Sequence, residues 1–186
     1  MSDAPVSDAS VSDASVSDAP VSDAPVSDAP LVIGLISDTH GHVRADVHRA
    51  LGGVAFILHA GDVCGDEVLM ELDLIAPTIA VRGNCDDPDD PRLVRVVERV
   101  ERGVRIHVSH GHELGVPTVD RLLAAYDADV IVYGHTHRPL FARAGARLVV
   151  NPGAAGPRRF DIAPSVARLT IGADGAVDVE LVELSA

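Results

Sequence analysis

The sequence predicts a mixed α/β domain in which two sheets pack together, with helices outside them. Residues 31–83 alternate short apolar runs with amphipathic stretches, the pattern of βαβ units and a parallel sheet. Residues beyond 138 are instead rich in β-formers separated by turn signals, as in antiparallel hairpins. A chain that starts one way and ends the other implies two sheets rather than one. A third observation sets the domain boundary. Residues 1–30 are one five-residue unit, VSDAP with small variations, written six times. It carries six aspartates, no cation and no aromatic. One valine per unit cannot build a core, so residues 1–30 are expected to be a disordered, solubilising tail and residues 31–186 the folded domain.

The elements follow in order. LVIGLIS (31–37) is a continuous apolar run, as in a strand covered on both faces. VRADVHRALGG (43–53) reads as a helix ended by Gly52 and Gly53. VAFILHA (54–60) is a second buried strand, GDEVLMELDLIA (65–76) a helix stopped before Pro77, and PTIAVRG (77–83) a third strand. LVRVVERVERGVRIHVS (93–109) predicts two strands around a turn at Glu101-Arg102-Gly103. VPTVDRLLAAYDA (116–128) is a helix with Thr118 as N-cap, followed by the strand DVIVYG. The remainder is β-rich, and Asp174-Gly175 marks a hairpin turn.

Composition excludes several functions. The 186-residue chain has a formal charge of −13, and its 15 cationic residues are all arginine. Six of its 28 acidic residues lie in the repeat, so the domain remains acidic without it. Nucleic acid backbones and anionic membranes reward clustered cations, and neither is an expected partner. No stretch approaches the roughly 20 apolar residues of a membrane span. The repeat lacks the basic start and apolar run of a signal peptide. A cytoplasmic protein is therefore expected, with Cys64 and Cys85 as reduced thiols. A regulatory disulfide between them is the alternative, because they leave neighbouring strands. A homo-oligomer is left open.

The chemistry collects at strand ends. The first strand runs into Asp38-Thr39-His40, the second into Gly61-Asp62 and the third into Gly83-Asn84. VRIHVS ends in His110, and VIVYG ends in Gly134-His135-Thr136-His137. In extended backbone alternate residues point the same way, so the rings of His135 and His137 are expected to converge. Ligands of α/β sheets gather at the carboxyl ends of strands. Asp38, His40, Asp62, Asn84, His110, His135 and His137 make seven donors, too many for one transition metal of ordinary coordination number. They suit two divalent ions if one carboxylate bridges. The mixed N and O donors fit manganese, nickel, iron, zinc or cobalt better than magnesium or calcium. Two such ions against two aspartates leave a positive centre, which is a site for an anion such as a phosphate ester. A metal pair about 3.5–4 Å apart can hold hydroxide and a phosphate oxygen.

D-x-H, G-D, G-N-x-D, a strand-end His and G-H-x-H, in this order, resemble the calcineurin-like metallophosphoesterases, in particular their small single-domain bacterial and archaeal phosphodiesterase branch. The likeness covers about residues 31–184. It implies a four-layer αββα sandwich of two mixed sheets with flanking helices. It also implies one metal on Asp38, His40, Asp62 and His137, and a second on bridging Asp62 with Asn84, His110 and His135. Asn151-Pro152-Gly153 resembles the family's late loop, with Ala154 where a serine is common. Many larger relatives place a leaving-group acid after the motif asparagine, where this chain has Cys85, a poor proton donor. His112 is the alternative acid, and Arg138 and Arg158 are candidate phosphate contacts. His59 and Asp86 are expected to orient neighbours. The function implied is phosphodiester hydrolysis of a small-molecule substrate by a metal-bound hydroxide. A phosphomonoesterase and a non-catalytic interaction scaffold, like the retromer subunit of this fold, are the alternatives.

Overall fold

The structure, a computed structural model, describes residues 29–158 and 161–185. The repeat therefore lies outside the described residues apart from Ala29 and Pro30. The chain runs β1 (Leu31–Ile36), α1 (Val47–Ala50), β2 (Phe56–His59), α2 (Asp66–Asp73), β3 (Thr78–Val81), β4 (Leu93–Val94) and β5 (Val97–Glu101). It continues through β6 (Val104–Val108), α3 (Val119–Ala125), β7 (Val130–Val132), β8 (Leu140–Ala144), β9 (Arg147–Asn151), β10 (Ser165–Ile171) and β11 (Val177–Glu183). One sheet has the order β11-β10-β1-β2-β3-β4 and the other β5-β6-β7-β9-β8. Both are mixed. β1 through β4 pair in parallel, as do β6, β7 and β9, while β10, β11, β5 and β8 pair antiparallel.

The strand period of two sorts the apolar side chains into layers. Ile33, Leu35 and Leu58 meet Ile106, Val108, Val130, Val132, Leu148 and Val150 between the sheets. The alternate residues Ile36 and Ile57 face outward onto Val47, Leu51, Val68 and Leu72 of the α1–α2 side. On the far side Ile131 and Val149 pack on Leu122 of α3. Covered on both faces, β1 and β7 need no polar alternation, which is why they read as unbroken apolar runs. Each of these side chains contributes about 1.5–3 kcal/mol by leaving water.

Two expectations need correction. Only Val47–Ala50 of the stretch 43–53 is α-helical. Ahead of it the chain makes a turn in which Val47 N donates to Arg44 O, while the Arg44 side chain donates to Gly156 O and Ser185 O and the Asp46 carboxylate accepts from Ser185 N. The run from Leu93 is also not one strand. Leu93–Val94 extends the first sheet, and the chain then crosses at Arg95 and Val96 to begin the second with β5.

The local signals otherwise act as their chemistry dictates. Arg102 (φ 51°) and Gly103 (φ 81°) form a two-residue hairpin with positive φ at both positions. Thr118 Oγ1 accepts from Arg121 N at 3.4 Å and caps α3. Asp174 Oδ1 accepts from Ala176 N at 3.0 Å in the turn between β10 and β11. Because β1, β2, β3, β6, β7 and β9 run parallel within their sheets, their carboxyl-terminal loops gather along one edge of the sandwich.

Candidate metal centre

Along that edge the seven donors form two connected groups. Asp38, His40, Asp62 and His137 each place a ligand atom within 4.8 Å of the others. His137 Nε2 lies 3.3 Å from Asp38 Oδ1 and 3.3 Å from His40 Nε2. In the second group, Asn84 Oδ1 is 3.2 Å from His110 Nε2 and 2.9 Å from His135 Nδ1. Asp62 joins them. Its Oδ2 faces His40 Nε2 at 3.7 Å and its Oδ1 faces His110 Nε2 at 3.4 Å, one oxygen to each group.

The two histidines after β7 do not converge as alternation in an extended strand would require. His135 (φ 66°) and His137 (φ 57°) are both left-handed, and their rings go to different groups through different nitrogens. Asp38 (φ 53°), His40 (φ 46°) and Asp62 (φ 56°) share this conformation. It is uncommon for residues with a Cβ, and it concentrates at binding and catalytic sites where surrounding packing holds it in place. Gly134 leaves no room for a side chain, since a Cβ there would collide with Ser37 Oγ and lie 2.8 Å from Ala60 O and 3.0 Å from Asp38 Oδ2. Gly134→Ala is expected to displace Asp38 and weaken metal binding by about 10–100-fold, as loss of a ligand's support does. Titration of the metal-free variant with Mn²⁺, followed by calorimetry, measures this.

The groups behind the donors are as ordered as the donors. His110 Nδ1–H donates to Ala60 O at 2.7 Å, which fixes the ring with Nε2 toward Asn84 Oδ1 and Asp62 Oδ1. His59 Nδ1 accepts from Gly61 N at 3.1 Å, so its Nε2–H meets Thr39 Oγ1 at 3.0 Å, and Thr39 donates onward to Val63 O at 3.2 Å. Burial pushes His59 down to about 3, so it acts as a neutral spacer. Asp86 accepts from Gly83 N and Cys64 N, both at 2.7 Å, and ties the β3 loop to the β2 loop. Asn151 Nδ2 donates to Gly134 O at 2.8 Å and Thr136 Oγ1 at 3.0 Å, while its Oδ1 accepts from Gly153 N. It thereby fixes the β7 loop from the end of β9. Ser37 Oγ donates to Asp38 Oδ2. No local signal marks Ser37, because its role depends on which loop lies opposite.

The electrostatics suit a cation. Burial pushes the Asp38 carboxyl up to about 7 against the Ser37 hydrogen bond, and Asp38 Oδ1 is buried without a hydrogen-bond partner. Burial also opposes ionisation of Asp62, but hydrogen bonds from His110 and the Cys85 N–H outweigh it and hold that carboxyl well below the usual range. Burial lowers His110, yet the Asp62 hydrogen bond and the Asp38 charge raise it on balance. His135 is lowered by burial and by His110. His137 Nε2 lies 3.3 Å from both His40 Nε2 and Asp38 Oδ1, so three groups able to accept face one another. A proton can serve one pair of them at a time, whereas a divalent cation serves all.

The other candidates lie around this rim. The half-buried His112 ring is centred 5.3 Å from that of His110 and 6.2 Å from that of His135. It lines a cleft with Arg82, Arg95, Val96, Glu113 and Tyr126. Cys85 Sγ accepts from Asn84 Nδ2 at 3.3 Å, and its backbone N–H donates to Asp62 Oδ1 at 2.8 Å. Arg158 lines a small pocket with His137 and Ala154, while Arg138 is exposed one residue beyond His137. His107 stacks on Tyr126 with ring centroids 3.7 Å apart, and His48 pairs with Glu71 at 2.5 Å, so both serve the scaffold.

Residues 31–174 match the family described as the calcineurin-like phosphoesterase superfamily domain. A probable metallophosphoesterase of Methanothermobacter thermautotrophicus is 33% identical over 172 residues, spanning 84% of this chain and 94% of that protein. A protein of Methanocaldococcus jannaschii named phosphodiesterase is 30% identical over 139 residues, spanning 65% of this chain and 82% of its own length. Among solved structures, Vps29 of Entamoeba histolytica superposes with a TM-score of 0.68 at 22% identity, over 83% of this chain and 100% of that one.

Proposed function

The chain belongs to the calcineurin-like phosphoesterase superfamily, and from that premise we propose that it is a dinuclear metal-dependent phosphodiesterase whose domain is residues 31–186. One observation carries the reading: Asp62 presents one carboxylate oxygen to each of two donor groups, 3.7 Å from His40 and 3.4 Å from His110. Asp38, His40, Asp62 and His137 would hold one cation, and Asp62, Asn84, His110 and His135 the other. Manganese is the first choice, with nickel, iron, zinc and cobalt suited to the same donors. When bound, such a pair supplies Lewis acidity toward a phosphoryl oxygen and a water acidic enough to ionise near neutral pH.

The chain's own residues do the rest. Asn84 Oδ1, shared between His110 and His135, sets where the second group opens to solvent. His112 stands beside that opening and is placed to meet a leaving oxygen, while Arg158 beside His137 offers positive charge to a phosphate. Cys85 puts a thiol, not an imidazole, next to Asn84. Diesters with stabilised leaving groups need protonation least, which favours diester over monoester hydrolysis. The relative named phosphodiesterase agrees with this choice.

The Vps29 match favours a second reading, a protein-interaction module. Against it stand seven donors gathered with ordered supports, which a scaffold does not need. Among the described residues no helix is long and apolar enough to cross a membrane. The test is a panel of chromogenic diesters and monoesters assayed on one preparation with Mn²⁺ added and bound metal counted. Diester kcat/KM is expected to exceed monoester kcat/KM, with two equivalents bound. Turnover of neither substrate class at two bound equivalents sides with the scaffold.

A further inference from the structure

Cys64 and Cys85 stand outside the seven donors, yet each thiol sulfur lies within 4.8 Å of the other and of a His40 ring nitrogen. His40 faces two ways. Its Nε2 approaches His137 Nε2 at 3.3 Å, while its Nδ1 lies 3.7 Å from Cys64 Sγ. We propose that Cys64 Sγ, Cys85 Sγ and His40 Nδ1 form a separate site for a thiophilic divalent cation such as Zn²⁺ or Cd²⁺, with one coordination position open to solvent.

Three features support the site. Two sulfurs and one imidazole are the soft donor set that selects zinc-like ions over manganese. The loops that carry the thiols are already tied together, because the Asp86 carboxylate accepts from both Cys64 N and Gly83 N at 2.7 Å. The thiols also open onto a cavity of about 650 Å³ lined by Asp66, Asp86, Asp87, Asp89 and Asp90. Arg92 in its wall is engaged by Asp66 and Asp90, so the net field draws cations and turns away phosphate esters. Cations and anionic substrate would thus reach the centre from different sides.

Binding releases two thiol protons to solvent as two metal–sulfur bonds form. It also requires the Nδ1 lone pair of His40. A neutral imidazole cannot ligate through both nitrogens at once, so filling this site competes for His40 with the hydrolytic centre; this last step rests on the function proposed above.

The experiment titrates the metal-free full chain with Cd²⁺ while recording sulfur-to-cadmium charge-transfer absorption and thiol labelling. One sulfur-ligated equivalent is expected, with labelling of both thiols slowed about tenfold at tenfold excess over Kd. Cys64→Ser, or Cys64→Ala should the serine variant misfold, is expected to lose both signals with an unchanged circular dichroism spectrum. Cadmium bound without the absorption band, or protection that survives in a folded Cys64 variant, overturns the site. Failure of hydrolysis with the band present would instead count against the phosphodiesterase reading alone.

Discussion

Asp62→Asn is expected to lower diester kcat/KM by on the order of 10³-fold or more, equivalent to about 4 kcal/mol of transition-state stabilisation. The reason is geometric. Asp62 is the one side chain of the seven with an oxygen in each donor group. An asparagine retains an acceptor for the Cys85 N–H, which meets Asp62 Oδ1 at 2.8 Å, so the loop should keep its course. It loses the second anionic oxygen and half of the site's carboxylate charge. Bound manganese should fall from two equivalents toward one. Steady-state kinetics and elemental analysis of the same sample check both numbers. Wild-type turnover from Asp62→Asn carrying two equivalents would contradict the bridging role.

Asp38→Asn is expected to stabilise the metal-free protein while removing activity, and the gain should grow with pH. Asp38 is fully buried, and burial raises its carboxyl from 3.8 to about 7. Between these values the folded state keeps a proton that the unfolded chain releases. Wild-type stability therefore falls as pH rises through this window and levels off above about 7. Asparagine has no charge to bury and escapes the penalty. At about 1.4 kcal/mol per pKa unit, the variant's advantage should increase by roughly 2 kcal/mol between about pH 5 and pH 7 and flatten above it. His59 is present in both proteins and cancels to first order, whereas His110 and Asp62 are coupled to the Asp38 charge and shift with it. Urea unfolding of both proteins in chelator, at several pH values, measures the difference. A constant or shrinking gap would mean that the buried carboxyl is not strained in the absence of metal. A bound cation should abolish the gap, because it supplies the counter-charge that Asp38 lacks.

Much of this was legible in the sequence because the signals are local. The apolar runs of β1, β2 and β7 announce strands covered on both faces, and their first polar residues announce loops at one end of a sheet. Arg102-Gly103 and Thr118 act through contacts a few residues long. The helix expected over 43–53 shortens to α1 because Arg44 and Asp46 bond to Gly156 and Ser185, partners no local pattern reveals. No local pattern marks the crossing at Arg95 and Val96, because the residue types on both sides of it favour strands equally.

The identity of the seven candidate donors, their order and their place after strands were set by the sequence alone, since residue type and strand periodicity need no partner to act. The division of those donors into two groups was decided by the tertiary structure. His135 and His137 would point together in an extended strand. They part because five loops packed against one another, with Asn151, Ala60 O and Gly134 among the contacts, hold five of the donors at positive φ. Such a conformation is costly for an isolated chain and persists only where packing from distant segments outweighs the cost. The same holds for the thiols beside His40, which lie far apart in the chain and meet only once the β1, β2 and β3 loops are folded together.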